Sequence, residues 1–593
     1  MRLLFFTPIT NIWAHAFPEA VLAEGARRQG VDVTFATCGS LLRNQCSAME
    51  ESRVPEGADE EQRLRVCRTC TARATTLVRS FSFPTVQLSH YFSELDEAII
   101  REHIAHVEPN AWQDFELDGV PLGRFAAYEF LLKHKRNTLE IPQELWSAYL
   151  DQLTNTLRSY VAAPRLLDDV RPDRAVAYNT LYAANRAFMA VAERNGVPCY
   201  TMQGGNHTVR RAETMTVFRN DQAVFQAPES PAWHAWRDLP IGVREAGIVA
   251  EHVAAGFSAR SAFTYSKAHK RVPPSATRSS LGLDPQRKTA VVVLSSRDEV
   301  FAADVVGRFP RPIDGTHLFP TQAAWIEHVS GIADRRDDLQ FVVRVHPREF
   351  PNKRESVLSP NAAMLKELLD DLPDNMVVDW PADGRSLYDV IQIADVVMTA
   401  WSSVGGEAAL FGAPVVAYDT GDLLSYPKEL NDYVTTVDDY EPALDRALAT
   451  GWSLDRARLA FRWYAFNFSR LALDLSASVP SRAAWSSRRI LQGLYTQTRV
   501  PVPFAAVHFC EKSEIKQRAR ALVADAVFVD TLERVLPSVA ESAAWPARDH
   551  VVYEDETAAL RIQMLRLAEL LGLDDSDPQC LSSRIATGLA AST

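Results

Sequence analysis

The stretch FVVRVHPRE at residues 341–349 is followed by MVVDW at 376–380 and SLYDVIQIADVVMTAWSSVGGEAALFGAPVVAYD at 386–419. Apolar runs of strand length alternate here with one segment of helix length. This alternation is typical of a parallel sheet with crossover helices. Each run ends on small or polar residues, and parallel sheets bind ligands at the carboxyl ends of their strands. The stretch therefore predicts a ligand site at one edge of a sheet.

The side chains at these strand ends suit an activated nucleotide. A phosphate needs hydroxyls, helix-terminal amides and an imidazole or guanidinium. His346 ends one strand, and Pro347 fixes the turn that aims it. Arg344 adds positive charge beside them. We predict that these three residues contact the phosphate, although a histidine at a strand end can also be purely structural.

A serine pair and a carboxylate follow a later strand, VVMTA. Ser402 and Ser403 stand at the predicted N-cap of the next helix, where hydroxyls and free amides converge. Gly405 follows them, and Glu407 lies about 6 Å along the helix axis from Ser403, within reach of a ribose diol. Helix capping and a favourable helix dipole are the structural explanations for the same residues. Because all these groups end strands of one sheet, we favour a nucleotide site.

The same sheet begins at TAVVVLSS, residues 289–296. Its end carries Ser296 and Arg297, which we add to the predicted donor-binding residues. Upstream, RLLFFT (2–7), a helix over 18–30 and VDVTFAT (31–37) predict a right-handed βαβ unit. It lacks the glycine pattern of a dinucleotide site, so NAD and FAD are not predicted.

Four cysteines follow this unit at Cys38, Cys46, Cys67 and Cys70. The spacing C-x7-C-x20-C-x2-C brings four thiols into one local segment, and four thiolates can hold zinc or an iron–sulfur cluster. The first half of the spacing is looser than usual for such a site. A structural metal, a redox pair and ordinary thiols therefore all remain open interpretations.

The predicted domain plan has four parts. Residues 1–245 form a Rossmann-like acceptor domain, with a helical insertion at about 80–168 and the cysteine segment at 38–70. Residues 246–287 form a linker, and 288–455 form a second Rossmann-like domain that binds the nucleotide sugar. Residues 456–593 form a helical C-terminal region. At 593 residues, the chain is too long for one hydrophobic core.

Composition narrows the class of protein. A net charge of −12 argues against broad nucleic-acid binding, which needs a basic face. The apolar run MRLLFF stops at Thr7 with no small-residue cleavage site, so no signal peptide is predicted. No apolar run reaches the length of a membrane span. We therefore expect a cytoplasmic protein.

Two sheets, with HP after one strand and SS…E on a later strand–helix turn, resemble the GT-B glycosyltransferases. The resemblance covers most of residues 1–455 and is strongest to bacterial capsule Kdo transferases and GT-B sialyltransferases, which use CMP-linked sugars. It implies a phosphate grip at His346-Pro347 and Ser402-Ser403, and a ribose contact at Glu407. It also implies an α/β fold of two sheets facing a cleft. No clear acidic D-[DE]-G base motif of the sialyltransferase kind occurs in the first domain.

In such enzymes the first domain supplies the group that takes the acceptor proton. His15 and Glu19, after the first strand, are the leading candidates, because the ordinary pKa of a histidine suits proton transfer near neutrality. His207, the last residue of the sequence GGNH at 204–207, is the third. His15 has a structural alternative, packing against the helix that follows it.

These features predict an enzyme that transfers a sugar from a nucleotide-activated donor, preferably a CMP-linked acidic sugar such as Kdo. The acceptor is a surface polysaccharide, a lipid-linked glycan or a protein, and transfer itself requires no cofactor. We also expect peripheral membrane association and homo-oligomers formed through the C-terminal helices. A UDP-sugar 2-epimerase of the same fold and a non-catalytic glycan- or partner-binding scaffold are the alternatives.

Overall fold

The computed structural model describes residues 1–28, 30–211, 213–219, 227–259, 265–309, 317–352, 356–421, 423–469, 471–475, 556–572 and 577–591. It contains two β-sheets, each flanked by helices and built mainly of parallel strands. The predicted α/β arrangement of two mainly parallel sheets with flanking helices is confirmed. Within the described ranges, none of the helices combines the length and apolar character needed to cross a bilayer.

The N-terminal sheet begins with the predicted βαβ unit. Its first six strands are β1 (Arg2–Phe6), β2 (Asp32–Thr37), β3 (Thr85–Gln87), β4 (Arg174–Tyr178), β5 (Cys199–Gly204) and β6 (Thr214–Arg219). They run in the spatial order β6-β5-β4-β1-β2-β3, and all are parallel except β6. Apolar pairs in register fill its core, such as Phe5 opposite Phe35 with ring centroids 5.3 Å apart.

The C-terminal sheet is parallel throughout. Its strands are β7 (Lys288–Val293), β8 (Leu339–Arg344), β9 (Met376–Asp379), β10 (Val396–Thr399), β11 (Val415–Tyr418) and β12 (Asp432–Val434). They run in the order β12-β11-β10-β7-β8-β9. The sequence stretch at 341–419 thus supplies four of the six strands, β8 to β11. They form two adjacent pairs, β8-β9 and β10-β11, with β7 between the pairs.

Helices cover both sheets and form the insertion. In the N-terminal half they span Trp13–Arg28, Ser47–Glu51, Glu60–Phe81, Glu94–Ala105, Leu122–His134, Trp146–Val170 and Ala183–Arg194. The remaining helices span Pro231–Trp236, Val243–Phe257, Pro274–Ser280, Asp298–Val305, Gln322–Ala333, Asn361–Leu368, Leu387–Gln392, Val404–Leu410, Tyr440–Thr450, Leu454–Ser469, Glu556–Leu571 and Leu581–Ala591. The first helix begins before Pro18, since the Ile12 carbonyl accepts from the amides of His15 and Ala16.

The chain returns to the first sheet after leaving the second. Helix Leu454–Ser469 leads into β13 (Ala472–Asp474), which pairs antiparallel with β6. The predicted division after residue 455 does not include this return. Further on, helix Glu556–Leu571 packs through Leu560 and Met564 into the core that also holds Val249. Much of the predicted C-terminal region, residues 476–555, lies outside the described residues.

A buried lysine ties the insertion to the second sheet. Lys135 follows helix Leu122–His134, and only 1% of it is exposed. Its Nζ donates to the carbonyl oxygens of Arg348 at 2.7 Å, Phe350 at 3.3 Å and Val357 at 2.6 Å. A run of basic residues such as that at 133–136 often forms a solvated helix face, but Lys135 is buried. The lysine instead anchors the turn that follows β8, where the predicted phosphate site begins.

Candidate active site

A cleft of about 460 Å³ separates the two sheets. The C-terminal sheet contributes residues that follow β7, β8 and β10, because the carboxyl ends of parallel strands open at one edge. The N-terminal sheet contributes the loop after β5, and helices Val243–Phe257, Leu387–Gln392 and Leu454–Ser469 add further residues to the lining. Seven of the residues predicted from sequence line this cleft: His207, Arg344, His346, Pro347, Ser402, Ser403 and Glu407.

His346 follows β8 and presents one ring nitrogen to the cleft. Its Nδ1 accepts the Arg348 backbone N–H at 3.2 Å, in the short turn that Pro347 begins. A neutral imidazole carries one proton, so this bond places the proton on Nε2. Burial is the main cause that lowers the pKa of His346 to about 4, so the ring is neutral near pH 7. His346 is therefore a fixed N–H donor, suited to an anionic oxygen.

The two serines have different roles, since one caps the following helix and the other faces solvent. Ser402 is buried, and its Oγ accepts the Val404 backbone N–H at 3.4 Å. Ser403 is exposed at the start of helix Val404–Leu410 and makes no side-chain cap. The capping explanation thus applies to Ser402, while the Ser403 hydroxyl remains available to a ligand.

Glu407 lines the cleft one turn into that helix. Its Oε2 accepts a hydrogen bond from the Tyr388 hydroxyl at 3.0 Å. Burial raises the pKa of Glu407, and the Tyr388 bond opposes that shift. A carboxylate has two oxygens with several acceptor positions, so this single bond leaves capacity for a second donor such as a ribose hydroxyl.

The arginines near the phosphate site are already paired. Arg344 forms a buried ion pair with Asp379, and its Nη2 also donates to the Arg385 carbonyl at 3.3 Å. Arg348 forms a buried pair with Asp298, with Nη2 and Oδ2 2.7 Å apart. Neither guanidinium thus brings an uncompensated positive charge, and the predicted cationic role of Arg344 is not supported by the geometry.

Three predicted donor-binding residues lie elsewhere. Ser296 donates from Oγ to Asp298 Oδ1 at 2.6 Å, which orients the partner of Arg348. Arg297 lines a separate small cavity beside Trp401. Gly405 is buried, and a Cβ there would meet the Tyr426 hydroxyl at 1.9 Å, so it is a packing glycine. None of the three belongs to the lining of the main cleft.

Two of the predicted proton-transfer groups of the first domain, His15 and Glu19, make structural contacts away from the cleft. His15 stacks on Tyr178 with ring centroids 3.9 Å apart, and burial is the main cause that lowers its pKa to about 3. Glu19 is 1% exposed and accepts the Tyr178 backbone N–H at 2.9 Å, and burial raises its pKa to about 8. Neither residue lines the cleft.

His207 does line the cleft, but the backbone occupies both of its ring nitrogens. Nδ1 accepts the Arg210 backbone N–H at 3.2 Å, which places the ring proton on Nε2. Nε2 in turn donates to the Ile248 carbonyl at 3.0 Å. A base needs a free lone pair, so this geometry gives His207 a structural role.

Sequence reasoning missed several residues of the cleft. Asn206 donates from Nδ2 to Asn467 Oδ1 at 3.2 Å, which joins the two sides of the cleft. His252, Tyr388 and Tyr464 also line it. His252 stands four residues before Gly256 on helix Val243–Phe257, in a segment that the sequence analysis assigns to the linker.

The four cysteines line a second cavity, of about 200 Å³, at the edge of the N-terminal sheet. Cys70 Sγ lies 3.2 Å from Thr10 Oγ1. Burial raises the pKa of Cys38 to about 12 and also raises the pKa of Cys46 and Cys67. In the described part of the chain, no group of three or more Cys, His, Asp or Glu is arranged to hold a metal ion. The donors as placed do not fit the predicted metal, which stays a prediction.

Comparison with known proteins gives only distant structural likenesses. No family model and no curated protein sequence matches this chain. Among solved structures it is similar to the KpsC β-Kdo 2,4-transferase of Thermosulfurimonas dismutans, at 14% identity and a TM-score of 0.32, over 50% of this chain and 80% of that one. The UDP-GlcNAc 2-epimerase of Neisseria meningitidis matches at 10% identity and a TM-score of 0.26, over 84% and 100% of the two chains.

A third similar structure is the spinosyn rhamnosyltransferase SpnG, at 12% identity and a TM-score of 0.24, over 83% of this chain and 100% of that one. The neighbours thus include glycosyltransferases and epimerases.

Proposed function

We propose that this protein is a glycosyltransferase that uses a nucleotide-activated sugar, with a CMP-linked acidic sugar as the favoured donor. The observation that carries the proposal is the shared position of His346, Ser403 and Glu407 in one cleft. Together they offer a fixed N–H donor, an available hydroxyl and a carboxylate. These are the groups that a phosphate and an adjoining ribose require.

The groups on the phosphate side of the cleft suit a donor with a single bridging phosphate. Asp379 and Asp298 compensate the charges of Arg344 and Arg348. A sugar–CMP linkage carries one negative charge on its phosphate, whereas a nucleoside diphosphate linkage carries two. The neutral donors of His346 and Ser403 suit the single phosphate charge of the CMP linkage, while Arg211 adds a positive charge to the lining on the side of the first domain.

The acceptor enters from the first domain in this proposal. The loop after β5 carries Asn206 and Thr208 on that side of the cleft. Surface polysaccharide, lipid-linked glycan or protein are the proposed acceptor classes. Peripheral membrane association and homo-oligomers through the C-terminal helices are further proposals.

A donor-turnover assay tests this function. The protein is incubated separately with a CMP-linked sugar acid and with several UDP-sugars, and released nucleotide is measured by chromatography. We expect slow release of CMP, accelerated by an acceptor glycan and reduced in His346→Ala. If none of the donors releases nucleotide, either with or without an acceptor, the proposal is contradicted.

The same assay separates transfer from epimerisation. A UDP-sugar 2-epimerase inverts the configuration of the sugar at C2. Proton NMR of the UDP-GlcNAc mixture detects this change directly. Conversion without transfer would favour the epimerase alternative over the proposed function.

A further inference from the structure

His252 lies in the cleft but belongs to neither of the two predicted halves of the site. It stands on helix Val243–Phe257, one turn before Gly256, and both residues line the cleft. Residues four apart share one face of a helix, so this face of the connecting helix forms part of the lining.

The proton on the His252 ring has a fixed position. Its Nδ1 accepts the Thr208 backbone N–H at 3.0 Å and lies 2.9 Å from Thr208 Oγ1. A backbone N–H can only donate, so Nδ1 carries no proton and the neutral ring carries it on Nε2. Burial lowers the pKa of His252 to about 3, so the ring stays neutral at ordinary pH.

Aromatic neighbours hold the ring in this orientation. Phe468 lies 4.7 Å from it between centroids, His207 lies 5.4 Å away and Tyr464 lies 5.6 Å away. Among the residues that the structure describes, no polar group contacts Nε2. An N–H donor that lines a cleft without a protein partner is suited to a ligand acceptor.

The same arrangement occurs at His346. There too a backbone N–H, from Arg348, occupies Nδ1 and leaves Nε2–H for the cleft. His207 is the contrast, because the Ile248 carbonyl takes its Nε2–H. The cleft thus contains two imidazoles with available Nε2–H groups, one after β8 and one on the connecting helix.

We propose that His252 binds an anionic oxygen of the donor through Nε2–H, as a second contact beside His346. The oxygen belongs either to a phosphate or to the carboxylate of the sugar. This inference rests on the proposed function. It also assigns His252 as a binding group rather than a base, since its Nε2 already holds a proton and its Nδ1 lone pair faces Thr208.

Two substitutions isolate the N–H donor from the packing of the ring. His252→Phe keeps an aromatic ring against Phe468 and Tyr464 but removes the donor. His252→Gln places an amide N–H near the position of Nε2. Isothermal titration calorimetry of the full chain with cytidine, CMP, CDP and a CMP-linked sugar acid then measures the contact. His106→Ala, an exposed histidine on the insertion, serves as the control.

We expect His252→Phe to weaken an anionic ligand about tenfold or more, while cytidine binds as to the wild type. His252→Gln is expected to restore most of the affinity. A loss with CMP assigns the contact to the α-phosphate. If CMP affinity is unchanged and CDP affinity falls, the contact is to a β-phosphate. If only the affinity for the CMP-linked sugar acid falls, the contact is to its carboxylate.

Two results would overturn the inference while leaving the proposed function intact. One is unchanged affinity of His252→Phe for all three anionic ligands. The other is an equal loss for cytidine and the anionic ligands, which would indicate a structural role. If the wild type binds none of the ligands, the proposed function fails instead, and the two failures are thereby distinguished.

Discussion

The two sides of the cleft differ in how far their polar groups are already satisfied by the protein. On the side of the C-terminal sheet, His346 and Ser403 present donors to the cleft, and Glu407 keeps acceptor capacity. On the side of the first domain, His15 and Glu19 are packed against Tyr178, outside the cleft. Residue types suited to chemistry occur on both sides, but of the residues predicted from sequence only those on the side of the C-terminal sheet remain available to a ligand.

Removal of His346 should give the largest effect. His346→Ala deletes the N–H donor to the phosphate, and a hydrogen bond to a charged group contributes about 1.5–3 kcal/mol. We expect CMP affinity, measured by calorimetry, to fall about 10- to 100-fold. His346→Gln should recover part of it, because its amide lies near the position of Nε2. Unchanged affinity in His346→Ala would remove the distinction between the two sides.

Glu407→Gln should have a smaller effect that depends on the sugar of the nucleotide. The amide replaces one carboxylate oxygen, so the bond from a ribose hydroxyl loses its charge assistance. We expect CMP to bind a few-fold more weakly, whereas 2′,3′-dideoxy-CMP changes little. Because the pKa of Glu407 is raised, CMP binding to the wild type should also weaken as pH falls through that pKa. Equal losses for both nucleotides would exclude a ribose contact.

Glu19 should influence stability rather than binding. Its pKa rises on folding from an ordinary value of 4.5 to about 8, so unfolding between these pH values releases a proton. Stability therefore falls as pH rises through this window and levels off above it. In Glu19→Gln, the melting temperature should decline less between pH 5.5 and pH 8.5 than in the wild type. An equal decline in both proteins, or a loss of CMP affinity in the variant, would contradict this role.

His15→Phe should have the smallest effect. The phenyl ring can keep the stack on Tyr178, and His15 itself does not line the cleft. We expect donor turnover within about twofold of the wild type, since substitutions away from such contacts rarely matter. Abolished turnover with CMP binding intact would restore His15 as the proton-transfer group.

Local patterns in the sequence were sufficient for the sheets. The runs at 2–7, 31–37, 289–296 and 341–344 form strands because short apolar segments flanked by polar turns can be buried on both faces of a parallel sheet. The return of β13 to the first sheet was not predictable in this way. It is three residues long and pairs with a strand more than 250 positions earlier.

The candidate site was predictable in part for a related reason. The strand ends that carry His346 and Ser403 lie at the same edge of one sheet, so periodicity alone brings them together. The partners that decide availability are distant in sequence, as with Arg344 and Asp379 or Glu19 and the Tyr178 amide. His252 was missed because its place in the cleft depends on how the connecting helix packs against Phe468 and Tyr464.

Calorimetric titration of the wild-type protein with cytidine, CMP, CDP and UDP tests the central claim most directly. If the side of the C-terminal sheet recognises a nucleotide phosphate, CMP must bind at least about tenfold more tightly than cytidine. The proposed donor further requires that CMP bind more tightly than UDP. Equal binding of cytidine and CMP, or no binding of any of the four ligands, would contradict the account.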